Sequence, residues 1–246
     1  MKIILLKENG FKLIKQPIGR NKVFITGFHG VGAVGYLTSK YLSMQKEAEF
    51  IGYVSLKRMP MIIRMENDRI GLPFELYNFN DFIILVNEAI PESKDVYSYA
   101  NIIANWVVEN EFKFAILFGG LAEKVKEGSD DVRIAYTSQF KNIMKPFAQP
   151  LEKRLSIVGP LALLLAKFEE KKFPAVCILP YARIYEYDLK ATYKALKILI
   201  EQFKTKIDLT KIEQDLLLEK KLELDVTQQI EKLKQQPPPD SKILYM

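Results

Sequence analysis

Residues 23–35 read Val-Phe-Ile-Thr-Gly-Phe-His-Gly-Val-Gly-Ala-Val-Gly, and this stretch decides the fold. Its first four residues form an apolar, β-branched run, which is typical of a strand covered on both faces of a sheet. Glycines follow, and apolar residues then recur at helical spacing through residues 31–44. A buried strand, a glycine turn and a helix in this order indicate the start of a βαβ unit.

The rest of the chain repeats this alternation of short apolar runs and amphipathic segments. Further strands are predicted at residues 50–56, 82–86, 112–118, 132–136, 155–158 and 175–179, with a small hairpin at 61–65 and 68–71. Helices are predicted at 96–107 (capped by Asp95), near 139, from 160, and at 188–203. The alternation predicts an α/β fold, a three-layer α/β/α sandwich with a mostly parallel sheet.

The composition changes near Lys206, which indicates a boundary between an α/β core domain at 1–206 and a C-terminal helix at 207–236. The second segment contains no Gly or Pro. Its apolar residues form one narrow stripe: Leu218, Leu222, Val226, Ile230 and Leu233. Such a stripe is consistent with two interpretations to the same degree. The helix either packs back on the domain, or pairs with copies of itself or with a partner.

The last segment, 237–246, is predicted to be a flexible tail spaced by proline. Pro237-Pro238-Pro239 ends the helix and favours an extended spacer. At about 3.1 Å per residue, ten residues reach on the order of 30 Å. The chain then finishes with Leu244-Tyr245-Met246, an apolar and aromatic ending that is unusual for an exposed terminus.

Composition excludes several classes of function. The net charge is +6, but the lysines are interspersed with glutamates, whereas a nucleic-acid-binding protein concentrates its positive charge. No apolar run reaches the length of a membrane span or of a signal peptide. The single cysteine, Cys177, lies in the apolar run 175–179 and is expected to be buried, and one cysteine without an internal partner suits a reducing compartment. We therefore expect a cytoplasmic protein that binds neither membrane nor nucleic acid. The abundance of Lys, Glu and Ile is typical of a thermophile.

Gly30, Gly32 and Gly35 form a G-x-G-x-x-G pattern between a strand and a helix, as in dinucleotide-binding sites. That site also needs an acidic residue about twenty positions on, yet residues 53–57 read Tyr-Val-Ser-Leu-Lys. Close packing at a tight turn is therefore the favoured interpretation, and a nucleotide- or dinucleotide-binding enzyme that uses the loop 27–35 is the alternative.

Other catalytic chemistry is sparse. His29 is the only histidine, so no histidine-based metal cluster is predicted, and we expect no metal, no cofactor and no enzymatic activity. Asp188 heads a helix, where an N-cap is the simpler interpretation. The residues that can line a loop or crevice are Gly27, His29, Gly30, Gly32, Gly35, Gly119, Gly120 and Asp188.

Four segments together resemble a known family, the archaeal branch of the proteasome assembly chaperones. They are residues 27–35, 51–53, 117–122 and 179–191, in an order and spacing that span about residues 20–205. His29 and Leu189 stand where family members often have proline. The resemblance implies a phosphorylase-like α/β/α fold, a homo-oligomer of unspecified number, and no catalytic activity.

The resemblance also implies a partner, the α subunits of the proteasome core particle. Members that bind it use a C-terminal hydrophobic–Tyr–any-residue motif (HbYX), and Leu244-Tyr245-Met246 matches it. The terminal carboxylate would pair with a lysine between neighbouring α subunits, while Tyr245 and Leu244 fill adjoining slots. Several tails on one oligomer would gain up to roughly 10²–10⁴ over one tail. Assembly chaperone and activator of the mature particle both remain open.

Overall fold

The computed structural model describes residues 6–8, 10–14, 19–66 and 68–235, with the backbone alone at 6–8 and at 228–235. The predicted tail at 237–246, with Leu244, Tyr245 and Met246, lies outside the described residues. The chain divides into two compact units between Asp208 and Leu209.

Twelve strands and six α-helices are described. The strands are β1 (Leu6–Glu8), β2 (Phe11–Leu13), β3 (Val23–Gly27), β4 (Glu49–Val54), β5 (Arg64–Glu66), β6 (Arg69–Gly71), β7 (Phe74–Phe79), β8 (Phe82–Asn87), β9 (Phe114–Phe118), β10 (Leu121–Ala122), β11 (Val132–Tyr136) and β12 (Ala175–Ala182). The helices are α1 (Val34–Ser43), α2 (Val96–Glu109), α3 (Phe140–Ile143), α4 (Pro160–Glu170), α5 (Leu189–Phe203) and α6 (Thr210–Gln235).

Ten of these strands form one mixed sheet in the order β1-β2-β4-β7-β8-β3-β9-β12-β10, and β11 pairs with β12 off this path. The centre, β8-β3-β9-β12, is parallel. Strands β7, β4 and β2 extend one side in antiparallel pairs. β5 and β6 form a separate hairpin.

Helices cover both faces of the parallel centre. α1 contacts α5, and α2 contacts α4. All eight residues of β12 are buried, as expected of a strand between two helical layers. Trp106 of α2 stacks on Phe11 of β2, with ring centroids 4.1 Å apart. Such a ring pair stabilises the fold by about 1 kcal/mol in addition to the hydrophobic effect of burying its apolar surface. These features confirm the predicted three-layer α/β/α class with a C-terminal helical extension.

Four local expectations differ from the structure. β7 was not predicted, because Glu75 and Asn78 interrupt its apolar pattern. Residues 155–158, expected to be a strand, contain no regular element. Asp95 precedes α2 but makes no cap hydrogen bond, since both its oxygens accept from Arg58 at 2.7 and 2.8 Å. The antiparallel side of the sheet was also not anticipated.

Candidate functional site

A crevice lies at the carboxyl ends of β3 and β9. After β3 the chain forms β4, β7 and β8, which lie on one side of β3 in the sheet, and β9 then pairs with β3 on its other side. In open α/β sheets, this change of direction is where ligands bind. A cavity of about 260 Å³ is present there. Its wall is mostly apolar and includes Phe28, Val31, Leu121, Ile157, Leu161 and Leu179, with His29 and Ser156 as polar members.

The glycines around this crevice serve close backbone packing. A Cβ on Gly27 would lie 2.2 Å from the Gly35 carbonyl oxygen, and one on Gly35 would lie 2.2 Å from the Phe118 oxygen. A Cβ on Gly120 would approach the Val31 oxygen to 2.3 Å. Gly30 differs, since nothing lies within 4 Å of its Cβ position. The glycines therefore bring strand and helix together, with Gly30 alone facing open space.

The sheet order also separates the residues that a dinucleotide site would combine. After α1 the chain enters β4, and strands β8 and β7 lie between β3 and β4. In the dinucleotide-binding unit, the strand after the first helix is the immediate neighbour of the first strand. The acid missing from residues 53–57 would therefore stand far from the glycine turn even if it were present.

Asp188 ties the glycine turn to the loop after β12. Its Oδ1 accepts a hydrogen bond from the Ala191 amide, which makes it the N-cap of α5, and its Oδ2 accepts one from the Arg183 amide, both at 2.9 Å. Its own amide donates to the Gly32 carbonyl at 2.9 Å. Gly32 has φ +62°, and a Cβ there would lie 2.7 Å from the Cβ of Ala182. Both residues thus have structural roles beside the glycine turn, and neither lines the cavity.

His29 stacks on Tyr36, with ring centroids 4.0 Å apart and planes inclined by 18°. Burial lowers the pKa of His29, against an opposing hydrogen bond to the backbone of Asn87. The lowered pKa favours the neutral imidazole at pH 7. The Tyr36 hydroxyl donates to Glu88 at 2.8 Å.

A group of six ionisable side chains lies beside Tyr36, and we call it the charged cluster. It consists of Lys40, Arg64, Glu66, Arg69, Glu75 and Glu88. Glu75 has no exposed surface, and it accepts two hydrogen bonds from Arg69, at 2.6 and 3.0 Å. Arg64 pairs with both Glu66 and Glu88. Three cations and three carboxylates balance, as a buried ionic group requires.

Hydrogen bonding controls ionisation in this cluster. Burial by itself raises the pKa of Glu75, but hydrogen bonds from Arg69, the Leu72 amide and Tyr77 outweigh burial and lower it below the ordinary value. For Glu66, burial is likewise outweighed by hydrogen bonds from Arg64 and Lys40, and its pKa is lowered. The sequence analysis did not predict this cluster. Glu75 lies within the apolar run 74–79, and a carboxylate in such a run indicates a buried charge that needs a partner.

A model of the PAC2 family matches residues 24–225, most of the chain. The chain belongs to the PAC2 family. The crystal structure of Pyrococcus furiosus PbaA, "an archaeal homolog of proteasome-assembly chaperone", is similar to this PAC2 protein with a TM-score of 0.77. The two are 18% identical, and the match covers 92% of this chain and 94% of that one. Membership confirms the resemblance read from the four segments.

Two further solved structures share the fold. Pyrococcus furiosus PbaB, "an archaeal proteasome activator", matches with a TM-score of 0.71 and 19% identity over 88% of this chain and 98% of its own. A PAC2 family protein from Streptomyces avermitilis matches with a TM-score of 0.64 and 14% identity over 84% and 95%. Comparison with curated proteins finds no match.

Two further observations concern metal binding and thiol chemistry in the described part of this PAC2 protein. Between residues 6 and 235, gaps aside, no three His, Cys, Asp or Glu side chains are grouped as metal ligands. Cys177 is fully buried, and burial raises its pKa, so the reactive thiolate is suppressed. No helix among the described residues is long and apolar enough to span a bilayer.

Proposed function

We propose that this PAC2 protein is a non-enzymatic proteasome-binding factor. It docks Leu244-Tyr245-Met246 into pockets between α subunits of the core particle. The observation that carries the proposal is the likeness to PbaA and PbaB over about nine-tenths of the chain, since both are described by their relation to the proteasome. The crevice agrees with this proposal, because Gly27, Gly35 and Gly120 serve packing and burial favours the neutral form of His29.

The chemistry of the tail supports the same partner. A tyrosine offers an apolar ring and a polar hydroxyl, and a terminal carboxylate pairs with a lysine in a cleft. α6 has 26 residues, a helical length of about 39 Å, and it separates the α/β body from the tail along the chain. A homo-oligomer would present several tails to a ring of pockets and gain affinity by effective concentration.

The test is binding to purified core particles, with imaging of the product. Deleting residues 244–246, or replacing Tyr245→Ala, should abolish co-purification while leaving the thermal midpoint unchanged. Tyr185→Ala is the matched control, because Tyr185 is an exposed tyrosine outside the tail, with 95% of its surface accessible. Undiminished binding by the truncated chain would refute the proposal.

A further inference from the structure

The cavity at the carboxyl ends of β3 and β9 is enclosed by four separate parts of the chain. Residues 28–31 follow β3, residues 119–122 include β10, residues 155–158 form an irregular loop, and Pro160 and Leu161 begin α4. Together they bound a volume of about 260 Å³. Open α/β sheets bind small ligands at this position, so the chemistry of the wall indicates which class of ligand the cavity accepts.

Among the described residues, no carboxylate, ammonium or guanidinium group lines this cavity. Its polar side chains are those of His29 and Ser156, and the lowered pKa of His29 favours the uncharged imidazole. A charged ligand placed against such a wall would lose its hydration without gaining a counter-charge, which costs far more than the burial of a neutral group. The wall therefore favours a neutral ligand.

Four apolar side chains form what we call the cavity floor: Phe28, Leu121, Leu161 and Leu179. Each has at most 7% of its surface exposed. A water molecule held in a cavity needs about two to four polar partners, and the side chains of the cavity floor supply none. Moving apolar surface from water onto such a wall is favourable, roughly in proportion to the area that is covered. The cavity therefore favours an apolar molecule over water.

Gly119 determines how much room the cavity has. It is buried, and a Cβ there would lie 2.6 Å from Leu161 Cδ2 and 3.1 Å from Leu179 Cδ2, with no backbone atom among its nearest neighbours. A side chain at this position would either enter the cavity or push these two leucines into it. The absence of a side chain at Gly119 thus leaves the space above the cavity floor open.

The volume limits the size of the ligand. An apolar cavity of about 150 Å³ accepts benzene, which has six non-hydrogen atoms. In proportion, a cavity of about 260 Å³ accepts up to roughly ten. Pockets for drug-sized ligands are larger, at about 300–1,000 Å³. The ligand is therefore a compact molecule, not a dinucleotide.

We propose that this cavity binds a neutral apolar molecule of roughly six to ten non-hydrogen atoms, such as one aromatic ring with small alkyl substituents, and that Gly119 sets the upper limit of its size. Affinity comes from the removal of apolar surface from water, so a Kd on the order of 0.1–1 mM is expected for a molecule of this size. Binding in the cavity involves no part of the C-terminal tail, so this inference is independent of the proposed function.

Fluorine NMR of fluorobenzene in the presence of the full chain tests the site. The fluorine signal should broaden in a saturable manner, and unlabelled toluene should reverse the broadening by competition. 4-Fluorobenzoate and 4-fluorobenzylammonium carry the same ring with a negative or a positive charge. Both should bind at least tenfold more weakly than fluorobenzene, because the described wall offers no counter-charge.

Gly119→Val should weaken the binding of fluorobenzene at least tenfold, because the new side chain takes up space beside Leu161 and Leu179. Gly30→Ala is the matched control. Gly30 also lines the cavity, but nothing lies within 4 Å of its Cβ position, so this variant should bind as the wild type does. Circular dichroism and urea denaturation establish that each variant is folded.

Leu161→Ala provides a gain of binding that a misfolded chain would not show. Removal of this buried side chain enlarges the cavity, so 1-fluoronaphthalene, which exceeds the size limit of the wild-type site, should gain at least fivefold in affinity relative to fluorobenzene. Leu163→Ala is the control on the same helix, since Leu163 lies outside the cavity wall. It should keep the wild-type preference.

Three results would overturn the inference. The first is the absence of saturable fluorobenzene binding by the wild-type protein. The second is a charged analogue that binds as tightly as fluorobenzene, which would assign the cavity to ions. The third is unchanged affinity in folded Gly119→Val, or an unchanged preference in Leu161→Ala. Either observation would locate the bound probe elsewhere on the protein.

Discussion

The carbonyl oxygen of Gly35 lies where a side chain on Gly27 would begin, 2.2 Å from the Cβ position. The end of β3 and the first turn of α1 are therefore in backbone contact, which only glycine permits. This contact accounts for Gly27 and Gly35 by close packing of the strand and the helix, without any ligand.

We expect Gly27→Ala to destabilise the protein by more than about 3 kcal/mol, since the methyl group overlaps backbone that cannot move aside cheaply. Gly30→Ala is the control. Its Cβ position is open, and its φ of −165° is extended backbone that any residue adopts, so a change within about 0.5 kcal/mol is expected. Urea denaturation measures both. Similar effects at the two positions would contradict the packing interpretation.

The alternative of a nucleotide-binding enzyme makes a different prediction for the same loop. A ligand that binds the folded protein raises its melting temperature. If the glycines only serve packing, a thermal-shift screen with dinucleotides and nucleoside phosphates should therefore show no stabilisation of the wild-type protein. Gly30→Val is the suitable probe, whereas Gly32→Val would clash with Ala182 and unfold the chain. A clear shift for the wild type that Gly30→Val removes would favour the enzyme.

Glu75→Gln should destabilise the protein by about 3 kcal/mol. The substitution keeps the size of the side chain but leaves the Arg69 cation without its buried partner, and such loss costs about 3–5 kcal/mol. We expect the lower end because Arg69 is about one-third exposed. Glu47→Gln, at an exposed position, should have almost no effect. Equal stability of the two variants would show that the charged cluster does not hold the hairpin.

Acid should loosen the same region. The folded-state pKa values of Glu66 and Glu75 lie below their ordinary values, so the unfolded chain takes up protons first as the pH falls. The stabilisation from these two groups is fully present at neutral pH. It declines from about pH 4.3, the ordinary value for glutamate, as the pH drops through the folded-state pKa values.

Denaturation at a series of pH values measures this decline, and hydrogen exchange locates it. Glu75→Gln should flatten the acid limb of the curve, because the variant no longer has that carboxyl to protonate. An identical pH dependence in the variant and the wild type would contradict the assignment of the acid sensitivity to the charged cluster.

Much of the fold was predictable because it depends on residues close together in the chain. The apolar runs of β3, β8, β9 and β12 and the helical spacing of α1, α2 and α5 indicate their elements without reference to any partner. The small hairpin was also predicted, and it forms at Arg64–Glu66 and Arg69–Gly71.

The misses share a physical cause. Glu75 makes a buried strand at β7 unexpected from the sequence, because its pairing with Arg69 is seen only in the structure. Asp95 is a favourable residue type for a helix cap, but Arg58 donates hydrogen bonds to both of its carboxylate oxygens. In each case a distant side chain changes what the local residue does. Residues 155–158 show the converse, since an apolar run without a pairing neighbour forms no strand.

The sequence by itself determined the layered α/β class, the family and the presence of a glycine turn between β3 and α1, because periodicity and local motifs carry that information. Only the tertiary structure decided that backbone atoms occupy the space beside Gly27 and Gly35. It also decided that six charged side chains gather beside one hairpin, and that the methionine and isoleucine of this hairpin are exposed. Those properties depend on which groups meet across the sheet, and burial of a charge is tolerated only where folding supplies its partner.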